Sequence, residues 1–171
     1  MAGVLARIKS DYSQGEPRPL GGYLRAMSAY AGLVGAAVAV GTTRGARVPE
    51  RFSWNDTFLV SVAAHKAGRL LNKSAVASPL RAPFTRFEGS AGEGEVAESV
   101  PSSGNHQHAV GELLTCPFCS GVWLATAFTA GLVLAPRATR LVATTLAVVA
   151  GSDFLHLAYD AAKNAGRDSG G

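Results

Sequence analysis

The sequence predicts an all-α, multi-span membrane protein with four transmembrane helices, or three plus one amphipathic interfacial helix. Three observations carry that expectation. Hydrophobic residues fill 47% of the 171 positions and charged residues only 16%, against about 25% charged in soluble domains. The apolar residues gather in runs divided by polar stretches, which keeps the mean hydropathy at only +0.16. The 16 Lys and Arg also fall unevenly about those runs, 11 to one side of a four-span arrangement and 5 to the other. The positive-inside rule then puts both termini and the cysteine-bearing loop in the cytoplasm. With three spans the N-terminal arm and that loop would face opposite sides, and the bias would be less coherent.

A net charge of +4 and a pI near 9.4 do not indicate nucleic acid. The basic residues are scattered singly, with no Lys/Arg-rich segment interleaved with aromatics. They suit the flanks of membrane spans, where cationic side chains meet anionic headgroups.

Taken in order, 1–22 reads as a flexible arm: a short amphipathic piece followed by the breakers Gly15, Pro17, Pro19, Gly21 and Gly22. A helical membrane domain follows at 23–160. The run 23–40 is close to the roughly 20 residues a crossing helix needs. Its Ala31, Gly32, Gly35, Ala36 and Ala39 are small enough for close helix approach in lipid. Ala37-Val38-Ala39 resembles a signal-peptide cleavage site, but the leader before it is unusually long and retention is expected. Ser53 and Asp56 stand where they can satisfy free N–H groups at a helix start.

The segment 55–73 is amphipathic at 100° per residue. Leu59, Val60, Ala63, Ala64, Ala67, Leu70 and Leu71 share one face, and Ser61, His65, Lys66, Arg69, Asn72 and Lys73 lie opposite. It fits an interfacial helix or a span whose basic end snorkels to the headgroups, and the charge bias favours the span. Residues 74–111 are expected as a flexible cytoplasmic loop, with a specific turn at 78–84 built on Pro79 and Pro83. The uncharged run 118–135 is the clearest span, 141–159 is the last, and 161–171 reads as a disordered tail.

Cys116-Pro117-Phe118-Cys119 has the C-x-x-C spacing that redox dithiols and half of a zinc site require. Pro117 suits the first turn of a helix. A zinc site needs about four ligands, and His106 and His108, ten and eight residues upstream of Cys116, could supply the remainder if their loop folds back. His-x-His in a polar loop is more often solvated, and packing or starting a helix is the plainer role for the thiols. No cofactor is expected, and zinc is the metal this set would take.

Asp153 and His156 share a helical face late in the last span, with Asp160 beyond them. Ionisable groups in lipid are expensive unless paired or turned inward. Together with His65, Arg69 and Arg81 they form a candidate polar cluster, in which Asp153 would meet His65 or Arg69. No catalytic constellation is complete and no catalytic residue is assigned. The expectation is a non-enzymatic structural or partner-assembly component, with the lipid bilayer and a second copy or another membrane protein as partners. The alternative is a thiol-redox or metal-binding membrane protein using Cys116 and Cys119.

His65-Lys66 with Arg69-Leu70, the Ser78-Pro79-Leu80-Arg81-Ala82-Pro83-Phe84 turn, Glu112-Leu113-Leu114-Thr115-Cys116-Pro117-Phe118-Cys119 with Trp123, and Asp153-Phe154 together resemble a family of small bacterial integral-membrane proteins. It is the domain of unknown function numbered thirteen-sixty, found mainly in Gram-positive bacteria, some members being described as sporulation-related. The resemblance spans roughly 55–160. It implies membrane location and a shared set of core motifs, and it brings no activity, substrate or ligand residues.

Overall fold

The computed structural model describes residues 11, 12, 14, 18–101 and 104–168. The expected arm at 1–22 lies largely outside the described residues. Among those described, the chain is mostly helical, with a small two-stranded sheet.

Helix α1 (Leu20–Thr43) begins directly after Pro19. It ends because Gly45, at φ +64°, can take the left-handed conformation. That lets the Ala46 N–H reach Gly41 O (2.8 Å) and the Gly45 N–H reach Thr42 O (3.1 Å), a Schellman closure of the last turn. Helix α2 (Trp54–Lys73) starts at Ser53, whose hydroxyl accepts the Asp56 N–H at 3.0 Å, as the sequence led one to expect.

A 3₁₀ turn (Ala75–Ala77) and the one-turn α3 (Ser78–Arg81) follow. Where composition suggests a flexible loop, the chain folds into an antiparallel hairpin, β1 (Arg86–Gly92) and β2 (Glu95–Ser99). Its register pairs Arg86 with Ser99 and Gly92 with Glu95, with irregularities at 87–89 and 90–92. The Ala75 N–H donates to Gly94 O (2.9 Å), so the hairpin tip is tied to the end of α2.

Helix α4 (Asn105–Thr115) leads through Cys116 into α5 (Pro117–Leu134). Pro136 opens α6 (Pro136–Asp168), 33 residues long. It includes 161–168 of the stretch expected as a disordered tail, and 169–171 lie outside the described residues.

Side-chain pairings fix the directions of the four long helices. Tyr30 meets Trp123 edge-on (centroids 5.2 Å apart) and bonds Thr126 at 2.7 Å, while Gly41 lies beside Leu134, so α1 and α5 are parallel. Asn72 meets Ser120, and Gly68 faces Leu124, so α2 runs opposite to α5. Asp56 meets Arg140, and Lys66 meets Asp153, so α6 runs with α2. The result is an up-down-up-down arrangement. The hairpin, α3 and α4 all gather at one end of it, where α2 finishes and α5 begins.

Among the described residues, the buried apolar side chains are small, Ala63, Ala109, Ala143 and Ala150, with Leu132 the one larger. The large apolar side chains face outward, among them Leu24, Met27, Leu33, Val38, Val122, Leu141 and Val148. Among the described residues, three helices, α1, α5 and α6, are long and apolar enough to cross a membrane. Helix α2 is long enough, but its charges keep it out of that set.

Candidate functional site

At the capped end, the second half of α2, the hairpin tip and the second half of α6 enclose a cavity of about 770 Å³, within the range of small-ligand sites. Helix α2 contributes His65, Lys66 and Arg69; the tip contributes Glu93 and Glu95; α6 contributes Asp153, His156 and Asp160. Two ion pairs bridge its walls. Lys66 donates to Asp153, and Arg69 donates to Glu95 Oε1 at 2.5 Å. Asp153 therefore meets α2 as expected, but its partner is Lys66 rather than His65 or Arg69. His65, His156 and Asp160 line the same space, and their side chains make no hydrogen bond or ion pair among the described residues. Reversing either charge of the Lys66–Asp153 pair is expected to destabilise the fold by about 1 kcal/mol or less, as for other solvent-reached pairs. The double reversal, Lys66→Glu with Asp153→Lys, is expected to restore most of the loss in thermal unfolding of the detergent-solubilised protein.

Arg81 belongs elsewhere. Its side chain is fully buried (0% exposed) against Glu98, which is 6% exposed. Nε donates to Glu98 Oε2 (2.7 Å), Nη2 to Glu98 Oε1 (3.0 Å), and the same guanidinium closes Leu71 O (2.7 Å) and Ser74 O (3.0 Å). A single planar donor fork thus ties the end of α2, the following turn and the hairpin together. The Arg81 hydrogen bonds hold the Glu98 carboxyl below the usual carboxylate range despite burial, with Thr85 and Ser78 adding to the effect. Arg81 is part of the frame behind the cavity and does not line it.

Cys116 is the N-cap of α5, and Pro117 occupies the first helical position as the sequence led one to expect. The Cys119 N–H donates to Cys116 Sγ at 3.3 Å, and the two sulfurs stand 2.8 Å apart. His106 and His108 are not brought to them. His106 Nδ1 lies 2.8 Å from an Arg25 nitrogen, His108 Nδ1 lies 3.0 Å from Pro101 O, and His108 Nε2 lies 3.3 Å from Glu112. Among the described residues, no three His, Cys, Asp or Glu side chains are grouped to hold a metal ion. Glu112 instead accepts from Tyr23, which joins α4 to the start of α1.

Several of these partners were not singled out from sequence. Asn72 and Ser120 form a buried pair between α2 and α5 (Asn72 Nδ2 to Ser120 Oγ, 2.9 Å), and Asp56 takes both Nε and Nη2 of Arg140 (2.7 and 2.8 Å). A polar residue inside an apolar run, such as Ser120, was the available signal. Glu95 and Glu98 gave none, because their segment reads as loop.

The chain carries three apolar helices, a capped end with a charged cavity, and a dithiol turn beside it. No curated protein and no solved structure matches it. A family described as "Protein of unknown function (DUF1360)" matches residues 59–159. That stretch begins in α2 and ends in α6, so it contains the Arg81 frame, the hairpin, the dithiol turn and most of the cavity. The chain therefore belongs to this family of proteins of unknown function.

Proposed function

We propose that the chain is an integral membrane protein whose α1, α2, α5 and α6 all cross the bilayer, with both termini, the hairpin and the cysteine turn in the cytoplasm. Its role in the membrane is to hold a rigid cap and a polar cavity at the cytoplasmic face for assembly with a second copy or another membrane protein. One observation supports this reading above the rest. Small residues fill the interior and large apolar ones face out, the inverse of a water-soluble fold and the packing that suits lipid. Helix α2 fits the same slab because its charges fall towards its two ends, Asp56 paired with Arg140 at one and Lys66 with Asp153 towards the other, which keeps both pairs away from the hydrocarbon centre.

The test uses a variant lacking both cysteines, with a single thiol placed either at Val48, between α1 and α2, or at Ala91, in the hairpin. A membrane-impermeant maleimide is expected to label Val48→Cys in intact cells and Ala91→Cys only after lysis. If α2 lay along the surface, both positions would face the same side and label alike. That result, or recovery of the chain in the soluble fraction after an alkaline wash, would overturn the proposal.

A further inference from the structure

The turn between α4 and α5 holds both thiols of the chain against one another, with Cys116 Sγ 2.8 Å from Cys119 Sγ. Capping alone does not account for sulfur at 116. Ser, Thr, Asp and Asn cap helices better, and a thiol is a weak acceptor. Core packing does not account for Cys119, which is exposed. Metal binding lacks its remaining ligands, since His106 and His108 are engaged with Arg25, Pro101 and Glu112. What remains is a pair of thiols within bonding reach of each other, Cys116 half-buried and Cys119 exposed.

We infer that Cys116 and Cys119 form a redox-active dithiol that reduces small-molecule disulfides, with Cys116 the attacking sulfur and Cys119 the resolving one. This goes beyond the membrane role above and does not depend on it. Burial opposes the Cys116 thiolate. Hydrogen bonds from the Cys119 thiol and from the Cys119 and Phe118 amides outweigh it, Lys73 adds positive charge, and the Cys116 pKa is lowered.

The Cys116 thiolate attacks one sulfur of the disulfide, whose S–S bond breaks. One thiolate leaves and takes a proton from water, and a mixed disulfide remains on Cys116. Cys119 then loses its proton and attacks Cys116 Sγ, expelling the second thiolate. Two electrons pass from the protein to the substrate, leaving an intramolecular disulfide that a dithiol reductant reopens. The large cavity does not extend to the thiols, so the turn offers no walled site for a bulky substrate.

The experiment mixes the reduced full-length protein, in detergent, with oxidised glutathione and follows thiol alkylation and adduct formation by intact mass. The wild type is expected to lose both alkylatable thiols together, without accumulating an adduct. Cys119→Ser is expected to accumulate one glutathione on Cys116, and Cys116→Ser to react roughly tenfold more slowly than Cys119→Ser. Cys116→Ser should also keep its melting temperature, because serine caps at least as well. Equal rates for the two single variants, separate adducts on both wild-type cysteines, or unfolding of Cys116→Ser would each overturn the assignment.

Discussion

Replacing Arg81 by alanine is expected to cost about 3–5 kcal/mol, the largest effect of any single substitution considered for this chain. The change strands Glu98, a carboxylate only 6% exposed, and also releases the carbonyls of Leu71 and Ser74. Loss of an ion pair at the surface would cost a fraction of this. The expected readout is a much lower unfolding temperature in detergent and rapid proteolysis between 82 and 104. Arg81→Lys should recover little, because an ammonium cannot reproduce the fork that reaches both Glu98 oxygens and both carbonyls.

The same pair sets an acid limit. Glu98 has a folded pKa below its ordinary value, chiefly through Arg81. Its contribution is therefore complete above the ordinary carboxylate pKa and is lost as pH falls through the lowered one. Stability measured from neutral to strongly acidic pH should fall along that limb in the wild type. In Glu98→Gln this part of the fall should be missing, on a lower plateau.

Gly111→Ala is the second large effect, expected at about 1–3 kcal/mol. A Cβ at this position would stand 2.6 Å from Val100 Cγ1 and 2.7 Å from the Phe84 carbonyl oxygen. The valine side chain can turn away, but the Phe84 carbonyl belongs to the backbone of the turn that Arg81 anchors, whose Phe84 N–H donates to Arg81 O at 2.8 Å. Helix α4 would have to lift from the cap, loosening the Tyr23–Glu112 contact with α1. Val100→Ala in the same chain should relieve part of the loss and leave the part due to the carbonyl. A Gly111→Ala protein that melts with the wild type would mean that α4 does not press on the cap.

The parts of the fold visible in the sequence were those set by local rules. Long apolar runs marked α1, α5 and α6, Ser53 marked the start of α2, and Pro117 marked the start of α5. The hairpin was hidden because Gly89, Gly92 and Gly94 serve its irregularities and tip with positive φ, and the same glycines, set among Ser and Glu, look like loop. Once the hairpin was hidden, Glu95 and Glu98 had no location, so Arg69 and Arg81 lacked their partners. Asp153 was expected to meet His65 or Arg69 and meets Lys66 instead, because which side chain of α2 it reaches depends on the offset between two packed helices, a tertiary quantity. His106 and His108 lie close to the cysteines in sequence, yet α4 carries His106 to Arg25 of α1.

Helix α6 has 33 residues, so it is about 50 Å long, against a hydrocarbon core of about 30 Å. With α6 crossing the bilayer as proposed, roughly 20 Å of it would stand clear of the slab as an unbroken rod. A rod of that kind works as a lever arm. A tilt of about 10° within the bilayer would sweep its free end by roughly 3 Å over the projecting length alone. On the same topology the Lys66–Asp153 pair, about three turns before Lys163, would sit near the point about which such a rod tilts.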